Sequence, residues 1–170
     1  MTLEQLNRLD PKAARAELER CCGSKRWVKH MSEARPFRDR KALLAAADRA
    51  FDGFEREDWL EAFAHHPRIG DLASLREKYA STAAWAEQEQ RGAAAAAESV
   101  LAALAEGNRA YERRFGYIFI VCAFGKSADQ MLALLVERMP NSPERELFIA
   151  AEEQMKITWL RLEKLLEPAS

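Results

Sequence analysis

Helix start and stop signals recur along this chain while strand signals are nearly absent, and that contrast constrains the fold more than any other feature. In "LDPKAARAELERCCG", Leu9 to Gly23, Asp10 stands in an N-cap position and Pro11 in the first helical one, where its missing N–H costs nothing. Gly23 is expected to end that helix. "SKRWVKHMSEA" reads as a short helix stopped at Arg35-Pro36, because a residue before proline is pushed out of the α region. "RKALLAAADRAFDGF" puts Leu43, Leu44, Ala47 and Phe51 on one face, with Asp52-Gly53 closing it. "REDWLEAFAHH" is a further amphipathic element with Trp59, Leu60 and Phe63 inward. Ser74 with Glu77, and Ser127 with Gln130, have capping-box spacing. Propensity predicts a long helix over 83–106, where Gly92 and the alanine run 93–97 suit close approach by a neighbour. Ser142 and Pro143 open a last long helix.

One stretch departs from this pattern. "FGYIFIVCAFG", Phe115 to Gly125, is a glycine-bounded run of aromatic and β-branched residues that could be a buried strand by composition. A lone strand has no partner, so an irregular buried segment near 117–124 is expected between helices. The expected fold is therefore all-α: one domain over 1–170, a bundle of roughly eight or nine helices with one irregular segment.

Charge and cysteine usage narrow the function classes. The net charge is −1 with both signs mixed, so no basic stripe offers a nucleic-acid surface. No apolar run approaches the ~20 residues that cross a bilayer. "MTLEQLNRLDPKAARAELER" lacks the apolar core of a secretory signal. The three cysteines, Cys21, Cys22 and Cys122, have no framework spacing and read as small buried hydrophobes of a reduced, cytoplasmic protein.

Two of the three histidines adjoin in "FAHHPRIG". Pro67 should stop the preceding helix near His65 and leave His66 extended at its C-terminal end, where the helix dipole favours a cation and would raise an imidazole's pKa. Such a histidine can exchange protons near neutral pH. The plainer reading is an exposed C-terminal cap, and His65 fits it better than His66. Neither HExxH nor CxxC occurs, so no metal site is expected. Glu87 and Gln88 in "AEQEQRG" could be an ordinary solvated face or carboxylate chemistry near a helix start. Arg161, between Leu160 and Leu162, could be a part-buried structural ion pair with an acidic neighbour. An irregular "YIFIVCA" would offer backbone polar groups to a ligand. These candidates alone name no reaction.

Read in order, "RPF" at Arg35, "HPRIG" at His66, "EQEQRG" at Glu87, "FGYIFIVCAFGKS" at Phe115 and the late "EEQMKITWLRLEKLL" resemble the 2-oxo-4-hydroxy-4-carboxy-5-ureidoimidazoline (OHCU) decarboxylases over nearly the whole chain. The resemblance implies an all-helical enzyme without metal or organic cofactor, which forms (S)-allantoin in the last step from urate. It implies that His66 transfers the proton, that Glu87 holds the substrate hydroxyl and orients the imidazole, and that Pro67 and Gln88 line the pocket. It further implies that Phe119, Ile120, Val121, Cys122 and Ala123 bind the substrate through their backbone, that Arg161 steers its anionic groups, and that the chain forms a homodimer. Ala84 departs from the serine common in the family, with Ser81 and Thr82 nearby. A helical interaction module, a helix-turn-helix regulator and a lyase for another ureido compound are the competing readings.

Overall fold

The computed structural model describes residues 1–68, 72–79 and 90–166. Among them regular structure is helical throughout, in order α1 (Leu3–Arg8), α2 (Pro11–Glu19), α3 (Lys25–Glu33), α4 (Arg40–Arg49), α5 (Arg56–Ala64), α6 (Leu72–Tyr79), α7 (Gln90–Phe115), α8 (Ala128–Arg138) and α9 (Pro143–Leu165). The all-α expectation holds, and the punctuation explains much of it. Asp10 Oδ1 accepts from the N–H groups of Lys12 and Ala13 at 2.9 and 3.0 Å. Ser127 and Gln130 form the expected capping box at the start of α8. Ser24, fully buried, caps α3 through Trp27 N–H at 3.3 Å.

Three boundaries differ from the expectation. First, α2 ends at Glu19, with Arg20 as C-cap, so Gly23 does not terminate it. Gly23 instead sits buried beneath the ring of His65, where any Cβ would meet His65 Cγ at 1.9 Å. Second, Ser74 lies inside α6, which starts at Leu72, and is not its cap. Third, α7 runs past Gly107 to Phe115. The glycine is tolerated there because α8 packs on it: a Cβ at Gly107 would come within 2.9 Å of Leu135 Cδ2. The expectation at Gly92 falls among side chains outside the described ones, and a close approach of the same kind occurs at Gly107, about four turns further on.

The chain divides into two compact units. The first comprises Met1–His66, Ile120–Cys122 and the chain from Ala150 onward. Its core gathers Leu6, Leu18, Trp27, Met31, Leu43, Ala47 and Leu162, all fully buried. Trp27 satisfies its indole N–H on Ala47 O at 3.1 Å. Phe51, Phe54 and Trp59 stack beside this core, with Phe51 and Trp59 nearly parallel at 5.3 Å. Phe63 is wholly buried near the end of α5, worth roughly 1.5–3 kcal/mol, which fixes the helix end from which His66 departs.

The second unit comprises Pro67–Phe119 and Ala123–Ile149. Leu75, Leu104, Tyr111 and Leu135 form its interior. Buried Glu146 accepts from Tyr111 Oη at 2.5 Å and Arg138 Nε at 2.7 Å, so the guanidinium enters the interior paired. That same guanidinium lies 4.6 Å over the ring of Phe119. Residues 116–127 have neither helix nor strand, as expected for the irregular segment, with Tyr117, Ile120 and Cys122 buried.

Candidate functional site

The site of interest lies in the first unit, where the end of α5 meets one stripe of α9. Helix α5 stops at Ala64, and His65 is its C-cap in the αR region. His66 N–H still donates to Phe63 O at 3.1 Å, after which Pro67 makes further helix impossible. The two histidines therefore separate. His65 points outward with its side chain 46% exposed, 3.9 Å from Glu19 Oε1, in the capping role expected of it. His66 turns inward and is only partly exposed.

Gln154, Thr158 and Arg161 sit at i, i+4 and i+7 on α9, so they share one helix face. Gln154 Oε1 lies 2.6 Å from His66 Nε2. Gln154 Nε2 donates to Thr158 Oγ1 at 3.1 Å, and Thr158 Oγ1 donates to Gln154 O at 2.9 Å. Gln154 and Thr158 are both fully buried. On the other side of the ring, Arg161 Nη2 lies 3.3 Å from His66 Nδ1.

This environment reverses the expected shift of His66. Its pKa is lowered, chiefly by burial and further by Arg161 and neighbouring His65, against the Gln154 hydrogen bond, which raises it. The helix dipole that favours a cation acts weakly beyond the last turn, and desolvation wins. Burial thus favours the neutral form of His66. The acidic partner considered for Arg161 is not among the described residues either; its contact there is His66.

Burial and the neighbouring Arg161 also set the thiols. Burial pushes Cys21 up to about 12 and Cys22 up to about 11, each partly offset by Arg161. Both are inert buried groups, as the sequence suggested. In the irregular segment, Cys122 N–H donates to Glu153 Oε2 at 2.7 Å, while Glu153 Oε1 pairs with Lys156 at 2.7 Å. Glu153 ties this backbone to α9 and already engages one of the donors expected to face a ligand.

The other candidates fall elsewhere. Ile120, Val121 and Cys122 belong to the first unit, and Pro67, Phe119 and Ala123 to the second. Glu87, Gln88 and Ala84 lie outside the described residues. Gln154, Thr158 and Glu153 escaped the sequence reading. The signal was a polar stripe at 154, 158 and 161 along an otherwise apolar helical repeat. Among the described residues no cluster of His, Cys, Asp or Glu could hold a metal, and no helix is long and apolar enough to cross a membrane.

Among the described residues the regular structure is helical, and one histidine is part-buried between an amide and a guanidinium. The sequence profile of OHCU decarboxylase matches residues 7–163, and the chain belongs to that family. It is 42% identical over 147 residues to the "Uric acid degradation bifunctional protein TTL" of Arabidopsis thaliana, covering 85% of this chain and 45% of that protein's length. It is 27% identical over 163 residues to the 2-oxo-4-hydroxy-4-carboxy-5-ureidoimidazoline decarboxylase of Haloferax volcanii, covering 95% and 94% of the two chains. Among solved structures, an OHCU decarboxylase crystallised in the presence of (S)-allantoin superposes with a TM-score of 0.69 at 41% identity, over 88% of this chain and 96% of that one. An (S)-allantoin synthase shares the fold at a TM-score of 0.71 and 19% identity, over 98% of this chain and 54% of that one.

Proposed function

We propose that this protein decarboxylates 2-oxo-4-hydroxy-4-carboxy-5-ureidoimidazoline to (S)-allantoin, with His66 carrying the proton. The observation that carries the reading is the pairing of a neutral, part-buried His66 with Arg161, whose guanidinium has no carboxylate partner among the described residues. A cation beside a proton acceptor suits a substrate that arrives as a carboxylate and leaves after a proton transfer. Family membership supplies the substrate class.

The substrate name places a carboxylate and a hydroxyl on one ring carbon, next to the carbon that bears the ureido group. As carbon dioxide leaves, its bonding electrons form a double bond to the neighbouring carbon and displace a pair onto nitrogen, which takes a solvent proton. The resulting enol then moves its hydroxyl proton to the ureido-bearing carbon. A neutral His66 accepts that proton as the C–O bond becomes a carbonyl and returns it to one face of the neighbouring carbon. Atoms balance with the imidazole regenerated. The family resemblance assigns Glu87 to the hydroxyl, and Pro67, Gln88 and the 119–123 backbone to holding the ring. Arg161 binds the ground-state carboxylate as well as the transition state, so it orients more than it accelerates.

The test is optical. Freshly prepared substrate is followed by circular dichroism with and without the protein. Rapid accumulation of one allantoin enantiomer supports the reading, and a racemic product at the uncatalysed rate overturns it.

A further inference from the structure

From the hydrogen bonds around His66 we infer that Gln154, itself locked by Thr158, is a positioning residue that fixes His66 as the Nε2–H tautomer and leaves Nδ1 as the nitrogen that exchanges the proton. The assignment follows from donor and acceptor counting. Arg161 has only donors to offer, so Nδ1, 3.3 Å from Nη2, must present its lone pair. A neutral imidazole then carries its hydrogen on Nε2, which requires an acceptor, and Gln154 Oε1 stands there at 2.6 Å.

The amide could in principle be turned end for end. Its NH2 would then face Nε2, forcing the hydrogen onto Nδ1 and placing that donor against the donors of Arg161. That arrangement wastes two buried hydrogen bonds. The orientation with the oxygen toward His66 satisfies every group: the amide NH2 donates to Thr158 Oγ1, and the hydroxyl passes its own hydrogen to Gln154 O. Because Gln154 and Thr158 are fully buried, water cannot substitute for a missing partner at little cost.

Among the described residues, the groups facing His66 are Arg161 and Gln154 of α9 and His65 of its own segment, with Cys21 and Cys22 near Arg161. Of these Gln154 is the neutral acceptor that sets which nitrogen holds the hydrogen. During turnover Nε2–H stays on Gln154, while Nδ1 takes the hydroxyl proton and gives it to carbon. Arg161 must release Nδ1 to do so, and an arriving carboxylate is the group that would draw it away. This role in turnover rests on the decarboxylase reading; the tautomer does not.

The test uses the full chain with 15N-labelled histidine. Long-range 1H–15N correlation spectra distinguish the two tautomers, and three histidines are readily assigned by single substitutions. Wild type should show His66 as pure Nε2–H near pH 7.5. Gln154→Leu should shift it to a mixture, and kcat should fall about ten- to a hundredfold, part of the ~10²–10⁴ that proton transfer supplies, with KM little changed. Gln154→Glu keeps an acceptor and should hold the Nε2–H pattern and recover part of kcat. Should Gln154→Leu fail to fold, Thr158→Val frees the amide to turn and should give the same mixing. A wild-type His66 carrying its hydrogen on Nδ1, or one whose tautomer and kcat ignore both substitutions, overturns the inference. A wild type that shows the Nε2–H pattern, loses it in Gln154→Leu and leaves the substrate untouched upholds the positioning role and sinks the reaction reading instead.

Discussion

Replacing Gly23 with alanine should damage the protein through His65 and reach His66 from there. An added Cβ would lie 1.9 Å from His65 Cγ and 2.3 Å from both Cβ and Cδ2. Turning the ring moves Cγ and Cδ2 but not Cβ, which is fixed to the backbone. Relieving that contact to the 3.4 Å of ordinary packing shifts the His65 backbone by about 1 Å. Overpacking of this kind costs about 1–3 kcal/mol. At ~2–4 °C per kcal/mol for a chain of this size, the Tm should fall by about 2–12 °C. His66 is the next residue, so the same shift displaces the imidazole, and a 1 Å error in a catalytic group costs about a hundredfold in rate. Thermal unfolding and the dichroism assay read the two effects. His65→Gly removes all three clashing atoms, so the Gly23→Ala/His65→Gly pair should recover most of both losses, a coupling that independent sites do not show. A Gly23→Ala protein with unchanged Tm and kcat would refute the reasoning, as would a double variant no better than the single one.

Other predictions concern protons and buried charge. Because burial lowers the His66 pKa below the ordinary 6.5, the unfolded chain binds the proton more readily than the folded one, so stability present above 6.5 is lost as pH falls from 6.5 toward the folded value. Urea midpoints across pH 5–8 should show this extra acid sensitivity in wild type and less of it in His66→Asn. Turnover should hold level through neutral pH and decline only on the acid side of 6.5, and a rate that rises on acidification contradicts a neutral His66. Glu146→Gln keeps the shape of the side chain but removes the carboxylate charge that faces the buried Arg138 guanidinium, which should cost about 3–5 kcal/mol in urea unfolding. A loss under ~1 kcal/mol would mean that Arg138 reaches water.

Local rules that act within a few residues were legible in the sequence. Asp10 with Pro11 and Ser127 with Gln130 need only their neighbours to cap a helix, and the chain honours both. Gly23 and Ser74 mislead, and the long helix expected to end at 106 runs on through Gly107, because these positions are set by packing, or by a helix that starts elsewhere, and not by adjacent residues. Gly23 is small for the sake of His65, and Gly107 for Leu135. The proline after His66 marked where the chain leaves α5, so the division between an outward and an inward histidine could be foreseen. The direction of the His66 shift could not. It depends on desolvation and on Arg161, which stands 95 residues away in the chain. Gln154 and Thr158 were hidden because a buried amide and hydroxyl look, in sequence, like a solvated helix face; only the helix against which they pack distinguishes the two.

The most direct measurement of the central claim compares His66→Ala with His65→Ala in the dichroism assay, after unfolding curves show both proteins folded. If His66 carries the proton, His66→Ala loses about 10²–10⁴ in kcat and its enantiomeric preference, whereas His65→Ala stays within a few-fold of wild type. A folded His66→Ala protein that still forms (S)-allantoin at the wild-type rate contradicts the account.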